Sequence, residues 1–170
     1  MDRNTIERFG VQGLRRIMGH AAQSPLVQFH VGRGRDSAGR RHQDVIALDD
    51  DHLEWTYDWT QWTFPLYEQS ELCPQAPVLN QADHDILRNS DEARERMAAA
   101  QTRMLAFLAD GSRWLRKDDY NHFRITRAIR SLRLILGDEY ANDFRRTVFE
   151  MMMRRPHKVG RATVAFWREA

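Results

Sequence analysis

From Asn80 to Gly137 the apolar residues of this chain return every three or four positions between capping residues and glycines, and no apolar–polar alternation of strand length occurs anywhere in it. Helix packed on helix is the layer architecture that such a pattern allows. Asn80 and Ser90 are good N-caps, with Asp83 at the third helical position after the first. They predict a short helix near 81–88 and a longer one near 91–110, closed by Gly111, with Met97, Ala100, Met104, Phe107 and Leu108 inward. The next helix, about 119–136, places Ile125, Ile129, Leu132 and Leu136 on one face, fans Arg124, Arg127, Arg130 and Arg133 over the other, and stops at Gly137. Asp138 then opens a helix to about Arg155, with Tyr140, Phe144, Val148 and Met151 or Met152 inward and Pro156 ending it. A last short helix near 161–168 carries Val164 and Trp167.

Upstream the pattern is thinner. Ile6, Phe9, Gly13 and Ile17 suit a short amphipathic helix near 4–18, weakened by Gly10, Gly13 and Gly19. Gly32, Gly34, Asp36, Ser37 and Gly39, interleaved with Arg33, Arg35, Arg40 and Arg41, read as a loop. The aspartates at 49–51 suit a helix N-terminus, and the pattern after them predicts one helix of about four turns ending before Pro65. On it Trp55, Trp59 and Trp62 stand at i, i+4 and i+7, with Thr56, Thr60 and Thr63 one residue later, and Asp58 and Gln61 form a polar pair on the flanking face. Indoles at that spacing are ordinarily core, and otherwise the wall of an aromatic ligand site. Pro65, Pro74 and Pro77 make 65–80 an extended linker. The expected fold is all-α, a single-domain irregular helical bundle of about six to seven helices.

Composition bounds the function classes. With 42% apolar and 29% charged residues, the 170-residue chain is an ordinary globular protein. The one cysteine, Cys73, permits no intramolecular disulfide or cysteine-rich zinc site and suits a reducing cytoplasm. No apolar run reaches the ~18 residues of a membrane span, and the charged N-terminus has no signal-peptide core. The net charge of +2 hides an uneven layout: residues 1–48 carry +4, residues 49–95 carry −10 and residues 96–170 carry +8. An acidic middle and a basic second half satisfy each other most economically by facing one another, which lowers the field left for an outside polyanion. Only Lys117 and Lys158 are lysine, and so strong a preference for arginine reflects a GC-rich coding sequence and points to a bacterial source.

Three stretches resemble the conserved region of the opioid growth factor receptor family. They are Asp36-Ser37-Ala38-Gly39-Arg40 leading into Leu53-Glu54, then Tyr57 through Leu66 followed by Ala76-Pro77-Val78-Leu79, and finally Asn121-His122-Phe123-Arg124-Ile125-Thr126-Arg127 with Ser131-Leu132 and Gly137 behind it. Tyr57 stands where the family usually has His, Thr60 and Thr63 replace aliphatic residues, and the family's His-Asn order is reversed at Asn121-His122. The similarity spans about residues 29–168, leaving 1–28 as an N-terminal helix and linker. It implies an all-helical binding or interaction module without enzymatic activity, whose animal members are described as membrane- and nucleus-associated receptors for methionine-enkephalin. That peptide is not carried over to this chain, because a fold does not transfer a ligand.

The residues themselves point to no cofactor. The seven histidines show no i, i+4 pair and no zinc spacing, so a metal site would need distant segments. Cys73 reads as a semi-exposed bystander and the aspartates at 49–51 as helix caps. The expected constellation joins two of the family stretches: Asp58 and Gln61 meet Asn121, His122, Arg124 or Arg127, with Trp55, Trp59 and Trp62 on the Trp helix beside them. It would serve as structural glue or as the floor of a cleft for a peptide, a small molecule or a protein segment. The alternatives are a cryptic enzyme using the same Asp/His/Arg groups, and nucleic-acid binding by Arg124, Arg127, Arg130, Arg133, Arg145, Arg146, Arg154 and Arg155, which no helix-turn-helix or RNA-binding signature accompanies.

Overall fold

The computed structural model describes residues 23–71 and 73–170; the amphipathic helix expected near 4–18 lies outside them. The described residues form nine α-helices and no strand: α1 Pro25–His30, α2 His42–Ile46, α3 Asp50–Trp55, α4 Trp59–Thr63, α5 Gln81–Asn89, α6 Asp91–Asp110, α7 Asn121–Ile135, α8 Asp138–Met153 and α9 Arg161–Glu169. A 3₁₀ turn, Arg113–Leu115, joins α6 to α7. The class is as expected and the count exceeds six to seven. Neither α1 nor α2 is long enough to show a period, and α1 starts from the Ser24 cap, which accepts from the Val27 amide.

One expected helix is two. The segment from Asp50 to Thr63 breaks at Thr56, whose ψ of 111° is extended, so α3 and α4 run in different directions. The carbonyls that the break releases are taken up by distant side chains: Arg124 donates to Glu54 O (3.1 Å) and Thr56 O (2.9 Å), and Trp59 Nε1 to Leu53 O (3.1 Å). The three indoles consequently do not share a face. Trp59 and Trp62 enter the core, whereas Trp55 is 61% exposed and lies against the Arg113 guanidinium, 5.0 Å from its ring centre.

Helices α6 and α7 form the middle of the bundle. Helix α6 packs on α1, α2, α5, α7 and α8, and α7 on α4, α5, α6, α8 and α9. Their inward residues follow the predicted stripes: Met97, Ala100, Met104, Phe107 and Leu108 on α6, and Ile125, Ile129 and Leu132 on α7, are buried in one cluster that reaches from Leu26 to Trp167. Burying each such side chain contributes about 1.5–3 kcal/mol before the entropy of ordering is subtracted. Two expectations fail on α7 and α8. Arg124 belongs to the buried side of α7, 1% exposed, not to the arginine fan, because the α3 carbonyls supply its partners. Tyr140 is 39% exposed, and the shorter Ala141 takes the inward place on α8.

Side chains from other elements close the ends of the central helices. His84, Arg88 and Arg94 donate to the carbonyls of Leu134 and Ile135 at the end of α7, and Arg155 does the same for Ala109 and Gly111 at the end of α6. Gly137, at φ 106°, makes the turn into α8. The acidic middle does meet the basic second half: Arg103 pairs with Asp50, Arg113 with Glu54 and Arg130 with Glu68. No described helix is long and apolar enough to cross a membrane.

Candidate functional site

The start of α7 is held by a polar network that the break between α3 and α4 makes possible. Asn121 Nδ2 donates to Glu54 Oε2 (3.1 Å) and Asp119 Oδ1 (2.8 Å), and its Oδ1 accepts from Arg124 (3.0 Å). Arg113 Nε lies 2.9 Å from Glu54 Oε1. Arg124 thus spends its guanidinium on one amide and two backbone carbonyls, with the Tyr120 ring 4.9 Å and the Trp59 ring 5.7 Å from its central carbon. Burial lowers its pKa from the ordinary arginine value, and the nearby Glu54 and Asp119 carboxylates offset part of that.

Asp58 was expected to meet α7. Its hydrogen-bonding partner is instead Arg40, whose Nη2 donates to Asp58 Oδ1 (2.7 Å) while its Nε donates to Asp36 Oδ2 (2.6 Å). Asp36 also accepts from the amides of Ala38 and Arg40, which folds the glycine-rich loop into a knot. Asp58 stands at the N-cap of α4, and the turn at Thr56 presents it to this loop. The Gln61 amide nitrogen, in the orientation that satisfies its neighbours, faces the carbonyls of Tyr57 (2.8 Å) and Asp58 (3.1 Å). His122 is also engaged: Nε2 donates to Trp114 O (2.7 Å) and the ring packs against Trp167.

Gln61, Arg124 and Arg127 do come together, as lining of a cleft of about 430 Å³ between α4 with its following loop and α7. Thr60, Leu66, Ser70, Glu71, Tyr120, Phe123, Thr126 and Arg130 complete its wall. Arg127 Nε donates to Phe64 O (2.8 Å). Among the described residues its guanidinium has no carboxylate partner, whereas neighbouring Arg130 is paired with Glu68. Burial pushes the Arg127 pKa down to about 10, and Arg130 adds to the shift. On the other side of Phe123 lies a second, more apolar hollow of about 610 Å³, lined by Asp118, Asp119, Tyr120, His122, Phe123, Thr126, Thr163 and Phe166. Phe123 and Phe166 are 67% and 64% exposed.

Residues 42–111 match the model of the opioid growth factor receptor (OGFr) conserved region. That segment of the chain is similar to the opioid growth factor receptor conserved region. The match includes Leu53-Glu54 and the whole of Tyr57 through Leu66; Asp36 to Arg40 and the Asn121 to Arg127 stretch lie outside it. No curated protein and no solved structure matches the chain. In three dimensions the matched segment supplies one wall of the cleft, α4 and the loop after it, and α7 supplies the other.

Other candidate groups have a place or a partner within the fold. Cys73 is buried, not semi-exposed, and burial pushes its thiol pKa up. Asp49 caps α3 through the His52 amide (2.8 Å). Of the arginines offered for nucleic-acid binding, Arg133 pairs with Asp138, Arg146 with Asp143 and Arg154 with Glu150, and Arg145 and Arg155 donate to carbonyls. Glu54, Arg113, Asp119 and Arg40 are network residues that sequence reasoning missed. Their signal was present for Glu54 and Arg40, which stand inside the first family stretch, but spacing along the chain could not pair residues separated by a loop.

Proposed function

We propose that this protein is a non-enzymatic binding module whose ligand lies across Phe123, between the cleft of α4 and α7 and the apolar hollow beside α9. The observation that carries the reading is that the two hollows share Tyr120, Phe123 and Thr126, so one α7 face offers a polar half and an apolar half with an exposed phenyl ring between them. Large apolar side chains left in water on a contiguous concave surface mark interaction sites. The two groups offered for acid–base work are engaged, which supports binding over catalysis: His122 is committed to Trp114 and Asp58 to Arg40. Kinship to the conserved region is compatible with this reading and does not name the ligand.

Fragment titration followed by ¹H–¹⁵N NMR tests it. Binding fragments should shift the amides of Phe123, Thr126 and Phe166 together, and Phe123→Ala should weaken them about tenfold, the loss of a buried aromatic contact. Shifts confined to other surfaces would reject the site, and turnover of a bound compound would reject the non-enzymatic reading.

A further inference from the structure

Resting on the binding reading above, we infer that Arg127 is the receptor for a ligand carboxylate carried on an apolar body. The guanidinium is fixed in place by its own backbone bond, Nε to Phe64 O at 2.8 Å, which holds the plane while leaving the two terminal nitrogens without an acceptor among the described residues. A planar fork held at its stem presents two parallel donors, and the planar carboxylate is the oxyanion that accepts both. The other cationic groups of the cleft are spent: Arg124 on Asn121 and the carbonyls of Glu54 and Thr56, Arg130 on Glu68. One free guanidinium therefore matches a single negative charge.

Glu71 sharpens the choice. It is exposed on the wall of the same cleft and forms no ion pair among the described residues, so its charge opposes a dianion more than a monoanion. This selects a carboxylate over a phosphate. Leu66, Tyr120 and Phe123 line the same cleft, and past Phe123 the wall turns apolar up to Phe166, which is where the body of the ligand goes. A partly buried cation without a counter-ion is costly to the empty protein, and an arriving carboxylate relieves that cost.

The test uses the full chain and three probes: 3-phenylpropionate, its amide, and inorganic phosphate, titrated by NMR at neutral pH. The carboxylate should bind about tenfold tighter than the amide, the difference a charge-assisted pair makes, and phosphate should bind more weakly than the carboxylate. Arg127→Gln should bring the carboxylate down to the level of the amide without changing the amide. Arg127→Lys should restore part of the difference, and Glu71→Gln should tighten the carboxylate alone; these two variants carry the test if Arg127→Gln does not fold. Equal binding of acid and amide at Phe123 and Phe166 would overturn this inference and leave the binding reading standing. Tighter phosphate than carboxylate would overturn it too. If neither organic probe shifts those amides, both readings fail.

Discussion

Helices α1 and α2 each bury one imidazole in the core, His30 and His42, and each has one ring nitrogen that meets no partner among the described residues. His30 Nε2 donates to Trp62 O (2.9 Å), leaving Nδ1 bare, and His42 Nε2 is bare as well. Their rings are 5.8 Å apart around Phe29, and Arg96 is the charged group that acts on both. Burial, reinforced by Arg96, pushes His30 down to about 4; burial, then His30 and Arg96, pushes His42 down to about 3. Both are neutral in the folded protein at neutral pH. The unfolded chain titrates its histidines near 6.5, so as pH falls below that value the unfolded state takes up protons that the folded state refuses. Stability from this source is complete above pH ~6.5 and lost by up to about 1.4 kcal/mol per pH unit per histidine as pH drops towards 4. Urea unfolding followed between pH 7 and 5 should show that slope. His42→Phe should halve it, whatever it does to the absolute stability; an unchanged slope would mean that His42 is protonated in the native state.

At the scale of elements the decisive feature is the break between α3 and α4, and Arg124 is what holds it. Arg124→Gln cannot reach the Glu54 and Thr56 carbonyls with a fork, leaves buried acceptors without donors and opens space between Trp59 and Tyr120. It should cost about 2–4 kcal/mol, read as a lower urea midpoint at unchanged slope, with faster amide exchange concentrated around residues 53–59. Arg124→Lys keeps the charge but not the fork and should recover less than half of the loss; recovery to the parent value would show that charge alone suffices. The same break explains what the sequence could and could not reveal. Helices α5, α6, α7 and α8 are bounded by Asn80, Ser90, Gly111 and Gly137, local signals that act within a turn of the residues they delimit, so they were legible. The donors that stabilise Thr56 in an extended conformation come from a residue 68 positions away, and no window on Trp55 to Thr63 contains them. That is also why Trp55 was placed in a stripe it does not join and why Asp58 was matched to α7. Gln61, Arg124 and Arg127 were legible as cleft residues because each lies on a helix whose partner face was recognised. Arg40 was not, because a glycine-rich loop gives no direction in which to look.

The whole molecule is more interdependent than its family match. Residues 42–111 contain α2 to α6, but the buried stripe of α6 rests on α1, α7 and α8, and α1, α7 and α8 all lie outside that span. Trp114, Trp167 and Phe149 complete the core beyond it, with Trp167 wholly buried and its Nε1 donating to His122 O (3.2 Å). The segment 42–111 also holds most of the acidic middle, whose counter-charges Arg113 and Arg130 are on the other side of the cut. Cut at those limits, the segment would expose Met97, Ala100, Met104, Phe107 and Leu108 to water at about 25 cal/mol per Å² of apolar surface, and would have to hold Glu54 without Arg113 or Asn121. A fragment of residues 42–111 should therefore retain helical far-UV dichroism from α6 while losing near-UV signal, amide dispersion and a cooperative thermal transition. Mixing it with a fragment of residues 112–170 should restore some of each, because the missing interface is supplied in trans. A cooperative transition and native-like dispersion in the 42–111 fragment alone would show instead that the conserved region is a folding unit in its own right, with α7, α8 and α9 docked on it as an accessory layer.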